Sequence, residues 1–220
     1  MKLWSESFED GGAIPADYAF GVIDPLKHVR LSTNRNPHLA WDDVPAGTES
    51  LVLFCFDIDA PTVGTDVNQE GRSVPFDLPR ADFYHWTLVD LPPTLGSIPA
   101  AAMSELVTPR GKHGPDLGFN VSNGTEHTLR HGLNDYTGWF AGDAAMAGEY
   151  FGYDGPCPPW NDTRVHNYIF RLYALDLPRL EVEGKFTGPD ARRAIHGHIL
   201  DEAQITGVYS LNPALAATLT

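Results

Sequence analysis

Between Ser50 and Asp57 the chain carries an uninterrupted apolar run, Leu51 to Phe56, that stops on an acid. A run this short, with turn residues on either side, predicts a strand buried on both faces. Phe83 to Leu91 reads as a second strand. Its alternation sets His85, Thr87, Val89 and Leu91 on one face and Tyr84, Trp86 and Leu88 on the other, and Pro92-Pro93 ends it. His166 to Asp176 is aromatic and branched and reads as a third strand. Weaker alternation predicts an edge strand from Leu3 to Phe8, closed by Asp10-Gly11-Gly12, and short strands near Tyr18–Phe20 and His28–Leu31. Pro37 to Trp41 is a short extended piece. Thr187-Gly188-Pro189-Asp190 opens a helix expected to run from about 189 to 204, with Gly207 just past its end and Val208–Leu211 as a last strand. Residues 62–82 form a long polar loop. Residues 94–135 are expected to be irregular, and 139–151 to be an insertion. Strands dominate, with one late helix. The pattern therefore predicts a mainly β protein: an antiparallel β-sandwich with a C-terminal peripheral helix and long loops.

Composition adds limits. A length of 220 residues with 42% hydrophobic content suits a single domain over 1–220, with its core over about 3–209 and a weakly helical tail over 210–220. Eighteen prolines and 21 glycines fit many turns and few long helices. The formal net charge of −14 argues against nucleic-acid partners and anionic membrane faces, so a phosphate ligand would have to be held by local donors. No apolar run approaches the length of a membrane span, and the first residues lack an apolar signal core. The expectation is a cytoplasmic protein without membrane insertion. Two cysteines, Cys55 and Cys157, give no disulfide framework and are expected to be reduced and buried.

The chemistry gathers around Gly152-Tyr153-Asp154-Gly155-Pro156-Cys157-Pro158-Pro159. Three prolines fix this loop and two glycines ease it. It delivers His166 and Tyr168 to the mouth of the third strand, and Gly155 is expected to present a bare amide N–H. Amide, imidazole and phenol are all donors for an oxyanion. Metal pairs are disfavoured. His196 and His198 would lie on opposite sides of the expected helix, and His127 and His131 would need a helix that Thr125 and Gly132 oppose. Cys157 beside histidines suggests a nucleophile, but its prolines favour a fixed structural role. No Gly-x-Ser-x-Gly elbow occurs.

These residues also form a pattern. Gly152-Tyr153-x-Gly155-Pro156-x-x-Pro159, His166-x-Tyr168 and Tyr173-Ala174-Leu175-Asp176 occur together with Asp57-Ile58-Asp59-Ala60-Pro61 and His85-Trp86 leading to Leu91-Pro92. So do Ser7 to Pro15, Pro37 to Trp41 and Asn134-Asp135. The set resembles the phosphatidylethanolamine-binding proteins, more closely their bacterial Raf-kinase-inhibitor-like branch, from about residue 3 to 209. Ile58 stands where that family usually has proline. The Ala60–Pro61 bond is a candidate for the cis isomer. The resemblance implies that Asp57, His85, His166 and Tyr168 meet at one end of the sandwich, with Ala60, Pro61, Gly155 and Pro156 completing a ligand site. It implies that Asp59 braces a turn. It further implies a non-enzymatic binding or regulatory protein that takes a small anionic or phosphorylated ligand, works without cofactor or metal, modulates a protein partner and forms a homodimer. The alternative is a hydrolase or lyase using Asp57, His85 and His166 for acid-base chemistry.

Overall fold

The computed structural model describes residues 1–120 and 126–219. In chain order the strands are β1 Lys2–Trp4, β2 Gly21–Asp24, β3 His28–Leu31, β4 Leu39–Asp42, β5 Ser50–Pro61, β6 Arg80–Leu91, β7 Ser97–Ile98, β8 Asp116–Asn120, β9 Glu126–His131, β10 His166–Leu175 and β11 Ile199–Tyr209. The helices are α1 Tyr136–Trp139, α2 Gly188–Ala194 and α3 Pro213–Ala216, with a 3-10 turn at Ala16–Tyr18. An antiparallel sheet of six strands, ordered β11-β10-β5-β6-β9-β8, faces a three-stranded sheet, β1-β4-β7, and β2-β3 is a separate hairpin.

The apolar run of β5 explains this layering. Leu51, Leu53 and Cys55 point into a core shared with Leu3, Leu39, Trp41 and Ile98 of the small sheet. Val52, Phe54 and Phe56 point the other way, under Leu180, Val182, Phe186, Ala191 of α2 and Ile195 just past its end. The central strand is buried on both sides because a sheet covers one face and a helix with its lead-in loop covers the other. The expected mainly β sandwich with a peripheral helix is the observed architecture.

Several local readings change. The expected helix of 189–204 ends at Ala194. Its start is as read: Thr187 caps it, Asp190 completes a capping box and a proline sits in the first turn. Gly197 then adopts φ +87 and reverses the chain. Residues 201–209 pair rung by rung with β10, and after a register shift Ile199 pairs with Leu175. Ile205, Gly207 and Tyr209 are buried in alternation with less buried neighbours, a period of two. Gly207 is therefore a strand glycine, where a Cβ would overlap the Ile14 side chain. Strand β1 stops at Trp4, short of Phe8. The piece near Tyr18–Phe20 is a 3-10 turn running into β2. The interval 94–135 contains β7, β8 and β9 rather than only irregular chain. The cis bond is Gly114–Pro115, and Ala60–Pro61 is trans.

The alternation in β6 also fails, for a reason that matters to the site. Trp86, Leu88 and Leu91 share one core, whereas Tyr84 and Val89 share the other. Cys55 pairs with Trp86 but Phe56 pairs with Tyr84, so His85 is an extra residue on β6, a β-bulge. A second irregularity lies near Asp90, which has φ +66.

Candidate functional site

The bulge at His85 needs partners for the backbone groups it frees from the ladder. Asp135 supplies two of them: its Oδ2 accepts from Tyr84 N–H at 2.7 Å and its own N–H donates to the Tyr84 carbonyl at 2.9 Å. The Asp154 N–H donates to the His85 carbonyl at 3.1 Å. The His85 ring is held from the same side, with Nδ1–H donating to the Asp154 carbonyl at 2.7 Å. A carbonyl can only accept, so this bond places a proton on Nδ1, and in the neutral imidazole Nε2 is then the acceptor. Nε2 is left as an acceptor without a partner among the described residues. Burial holds the His85 pKa below the usual histidine value, although the nearby Asp57 and Asp154 oppose it.

Asp154 is itself fully buried. Its carboxylate accepts from Asn34 Nδ2 at 2.7 Å, Asn134 Nδ2 at 2.9 Å and Lys112 Nζ at 2.6 Å. The wall behind His85 is thus a charge-assisted network with every oxygen occupied.

Opposite His85 stands an alternating row of charges. His166 donates from Nδ1 to Asp57 Oδ2 at 2.6 Å and from Nε2 to Asp162 Oδ2 at 3.0 Å. Arg80 donates to both Asp162 oxygens, at 2.6 and 3.1 Å. Burial works against a charged His166, but Asp57 and then Asp162 outweigh it and push its pKa up to about 9. The same pairing, with Arg80, holds Asp162 down at about 2 against the effect of its own burial. Two anions and two cations leave the row neutral, so the ionised Asp57 does not present a net negative floor.

Tyr168 pairs with Asp57 across β10 and β5, and its ring meets His85 edge-on at 5.2 Å between centroids. Its hydroxyl is buried near the Asp57 carboxylate but makes no hydrogen bond of acceptable geometry among the described residues. Burial, then the Asp57 carboxylate, keep the phenol well above its usual pKa, so it stays a donor.

Asp57, Ala60, Pro61, His85, His166 and Tyr168 line one cavity of about 300 Å³. Gly155 and Pro156 do not line it. The Gly155 N–H, expected to be bare, donates to Asn34 Oδ1 at 2.8 Å. The Pro156 carbonyl accepts from Phe20 and Gly21 N–H. The absence of a side chain at Gly155 serves packing: a Cβ there would overlap the Tyr18 carbonyl oxygen. Asp59 sits beside the cavity as a brace, accepting from Asn167 N and Nδ2 at 3.0 and 2.8 Å and from Arg164 at 3.2 Å.

Sequence reasoning missed Asp162, Arg80, Asp154, Asn34 and Lys112. No periodicity marks them, because each reaches the site from a different loop or strand end. It also gave no role to the long loop after β5. The Asn161 side chain pins that loop by donating to the carbonyls of Asp66, Gln69 and Arg72 and accepting from Asn68 N–H.

Cys157 does line the cavity, but burial pushes its thiol up to about 12, which leaves almost no thiolate near neutrality. His198 pairs with Asp176 at 2.9 Å and His131 accepts from Trp86 Nε1 at 3.2 Å, so neither histidine pair converges. No cluster of metal-ligating side chains occurs among the described residues. No helix among them is long and apolar enough to cross a membrane.

The UPF0098 protein YbhB of Escherichia coli K12 is 31% identical over 96% of this chain and all of its own length. A UPF0098 protein of Methanothermobacter thermautotrophicus is 30% identical over 95% of this chain and 98% of its own. The crystal structure of Escherichia coli YbcL, described as a new member of the mammalian PEBP family, superposes with a TM-score of 0.64 at 24% identity, covering 95% of this chain and 97% of that one. Residues 4–210 match the family model of the phosphatidylethanolamine-binding protein. With nearly the whole sequence inside that match and the same sandwich beneath it, the chain belongs to the phosphatidylethanolamine-binding protein family.

Proposed function

We propose that the protein is a non-enzymatic binding protein whose cavity takes the oxyanion end of a small phosphorylated or carboxylated ligand. One observation carries this reading: two side chains that line one cavity keep a hydrogen-bonding atom, His85 Nε2 and the Tyr168 hydroxyl, without a partner among the described residues, whereas Asp57 and His166 beside them are paired. Tyr168 donates to a ligand oxygen. His85, neutral with Nε2 as acceptor, takes a proton as the anion arrives or receives an O–H from a singly protonated oxyacid. Binding is therefore linked to uptake of one proton. The neutral Asp57–His166–Asp162–Arg80 row removes the repulsion that a lone carboxylate would impose. Hydrolase or lyase chemistry finds less support. Asp57 and His166 are bonded to each other, and the Cys157 and Tyr168 nucleophiles are held in their neutral forms.

Calorimetric titration with acetate and with inorganic phosphate tests this. The pKa of His85 in the free protein lies below the usual value, and a bound anion raises it. Acetate affinity should therefore climb as pH falls from 8 to 6, by up to about tenfold per unit. Tyr168→Phe should weaken both anions by about tenfold, the worth of one hydrogen bond to a charged group. The reading fails if neither anion saturates at millimolar concentration. It also fails if acetate affinity is flat with pH, since the Gly155 amide is not free to hold the anion instead.

A further inference from the structure

An oxyanion at His85 and Tyr168 fills only the floor of the cavity. A volume of about 300 Å³ is the lower end of the range for small-molecule pockets, and amounts to roughly ten waters' share of liquid volume, well beyond a tetrahedral anion. One wall is built of rings, and Val29, Leu31, Val67, Pro158 and Pro159 contribute to the rest. Phe20 stacks on Tyr136 at 4.5 Å between centroids, and Phe83 meets Tyr136 edge-on at 5.3 Å. Phe140 stacks with Tyr136 at 5.5 Å and with Phe20 at 5.8 Å, closing a cluster of three rings. Trp139, 52% exposed, stands at the cavity with them. The Tyr136 hydroxyl donates to the Gly155 carbonyl at 2.8 Å, so Tyr136 offers the ligand only its ring. Among the described residues no lysine or arginine lines the cavity, and Asp57, already bonded to His166, is its one acid.

From this division we infer that the site selects an oxyacid carried directly on a flat apolar ring, an aryl phosphate or aryl carboxylate, over the bare oxyanion. The inference rests on the oxyanion reading above and adds the body of the ligand to its head. The acid group accepts a hydrogen bond from the Tyr168 hydroxyl and shares a proton with His85 Nε2. The ring enters the apolar enclosure against the Phe20, Tyr136 and Phe140 wall, where burial of apolar surface and edge or offset contacts favour it. A bare oxyanion leaves the same walls facing water. A charged or strongly hydrated tail would lose hydration there without a paired group to replace it.

The test compares inorganic phosphate, methyl phosphate, phenyl phosphate and phenol by calorimetry on the full chain. The expected result is that phenyl phosphate binds at least tenfold tighter than methyl phosphate and at least tenfold tighter than phenol. Trp139→Ala, a substitution at a half-exposed position, should narrow the phenyl-over-methyl preference by threefold or more. If methyl and phenyl phosphate bind equally, the ring inference is overturned while the oxyanion reading stands. If phenol matches phenyl phosphate, the acid anchor is overturned and both readings fall with it. If none of the phosphates saturates, the oxyanion reading itself has failed.

Discussion

Gly155→Ala should lose about 3 kcal/mol or more of stability, read as a drop in the midpoint of urea unfolding. The added Cβ would overlap the Tyr18 carbonyl oxygen and sit 3.0 Å from Ala19 Cα and Tyr153 Oη. The neighbours cannot yield cheaply. Tyr153 Oη donates to that same Tyr18 carbonyl at 2.6 Å, and Phe20 and Gly21 N–H both donate to the Pro156 carbonyl, at 2.9 and 3.2 Å. These bonds tie the 18–21 segment to the 153–156 segment, and both are largely buried. Relieving the overlap means parting them, which shifts Phe20 in the cavity wall and lengthens the bond from Gly155 N–H to Asn34. A variant within 1 kcal/mol of the native protein would show that the two segments are not locked together.

His166→Ala should cost about 3–5 kcal/mol, because it leaves Asp57 buried against Asp162 without the cation between them. The native protein carries a matching pH signature. His166 binds its proton more tightly folded, with a pKa of about 9, than unfolded, where it is near 6.5. The stability it contributes is complete below pH 6.5. It declines as pH rises and is gone once pH passes about 9, a loss on the order of 3 kcal/mol. Urea midpoints should therefore fall between pH 6.5 and 9.5 in the native protein and stay flatter across that window in His166→Gln. Parallel curves for the two proteins would mean that His166 is not held as a cation.

How far the sequence announces this arrangement depends on whether a feature is local. β5 was legible because an apolar run between turns has one economical home, the middle of a two-faced core. The start of α2 was legible because caps act within four residues. Its end was not, since the helical continuation lost to a strand whose rungs lie on β10, some 30 positions earlier. His85, His166, Tyr168 and Asp57 were identified through motif resemblance, and the structure does gather them at one cavity. The manner of their gathering was not legible. Counting alternate residues along β6 misplaces every side chain beyond a bulge, and nothing in the residues around His85 marks the extra one. Gly155 was read for its exposed amide, but the glycine answers to a carbonyl 137 residues away. Asp154 and Asp162 organise the two walls through partners that no spacing rule connects, such as Asn34 and Arg80.

The proposed oxyanion binding turns on the state of one nitrogen, His85 Nε2. Imidazole ¹⁵N shifts of His85 should be followed at pH 7 during titration with phosphate. The free protein should show Nδ1 carrying the proton and Nε2 as a bare acceptor. At saturation Nε2 should move toward the shift of a protonated nitrogen, and this movement should be lost or much weakened in Tyr168→Phe at the same phosphate concentration. An Nε2 shift that stays in place while phosphate binds elsewhere, or does not bind at all, would contradict the assignment.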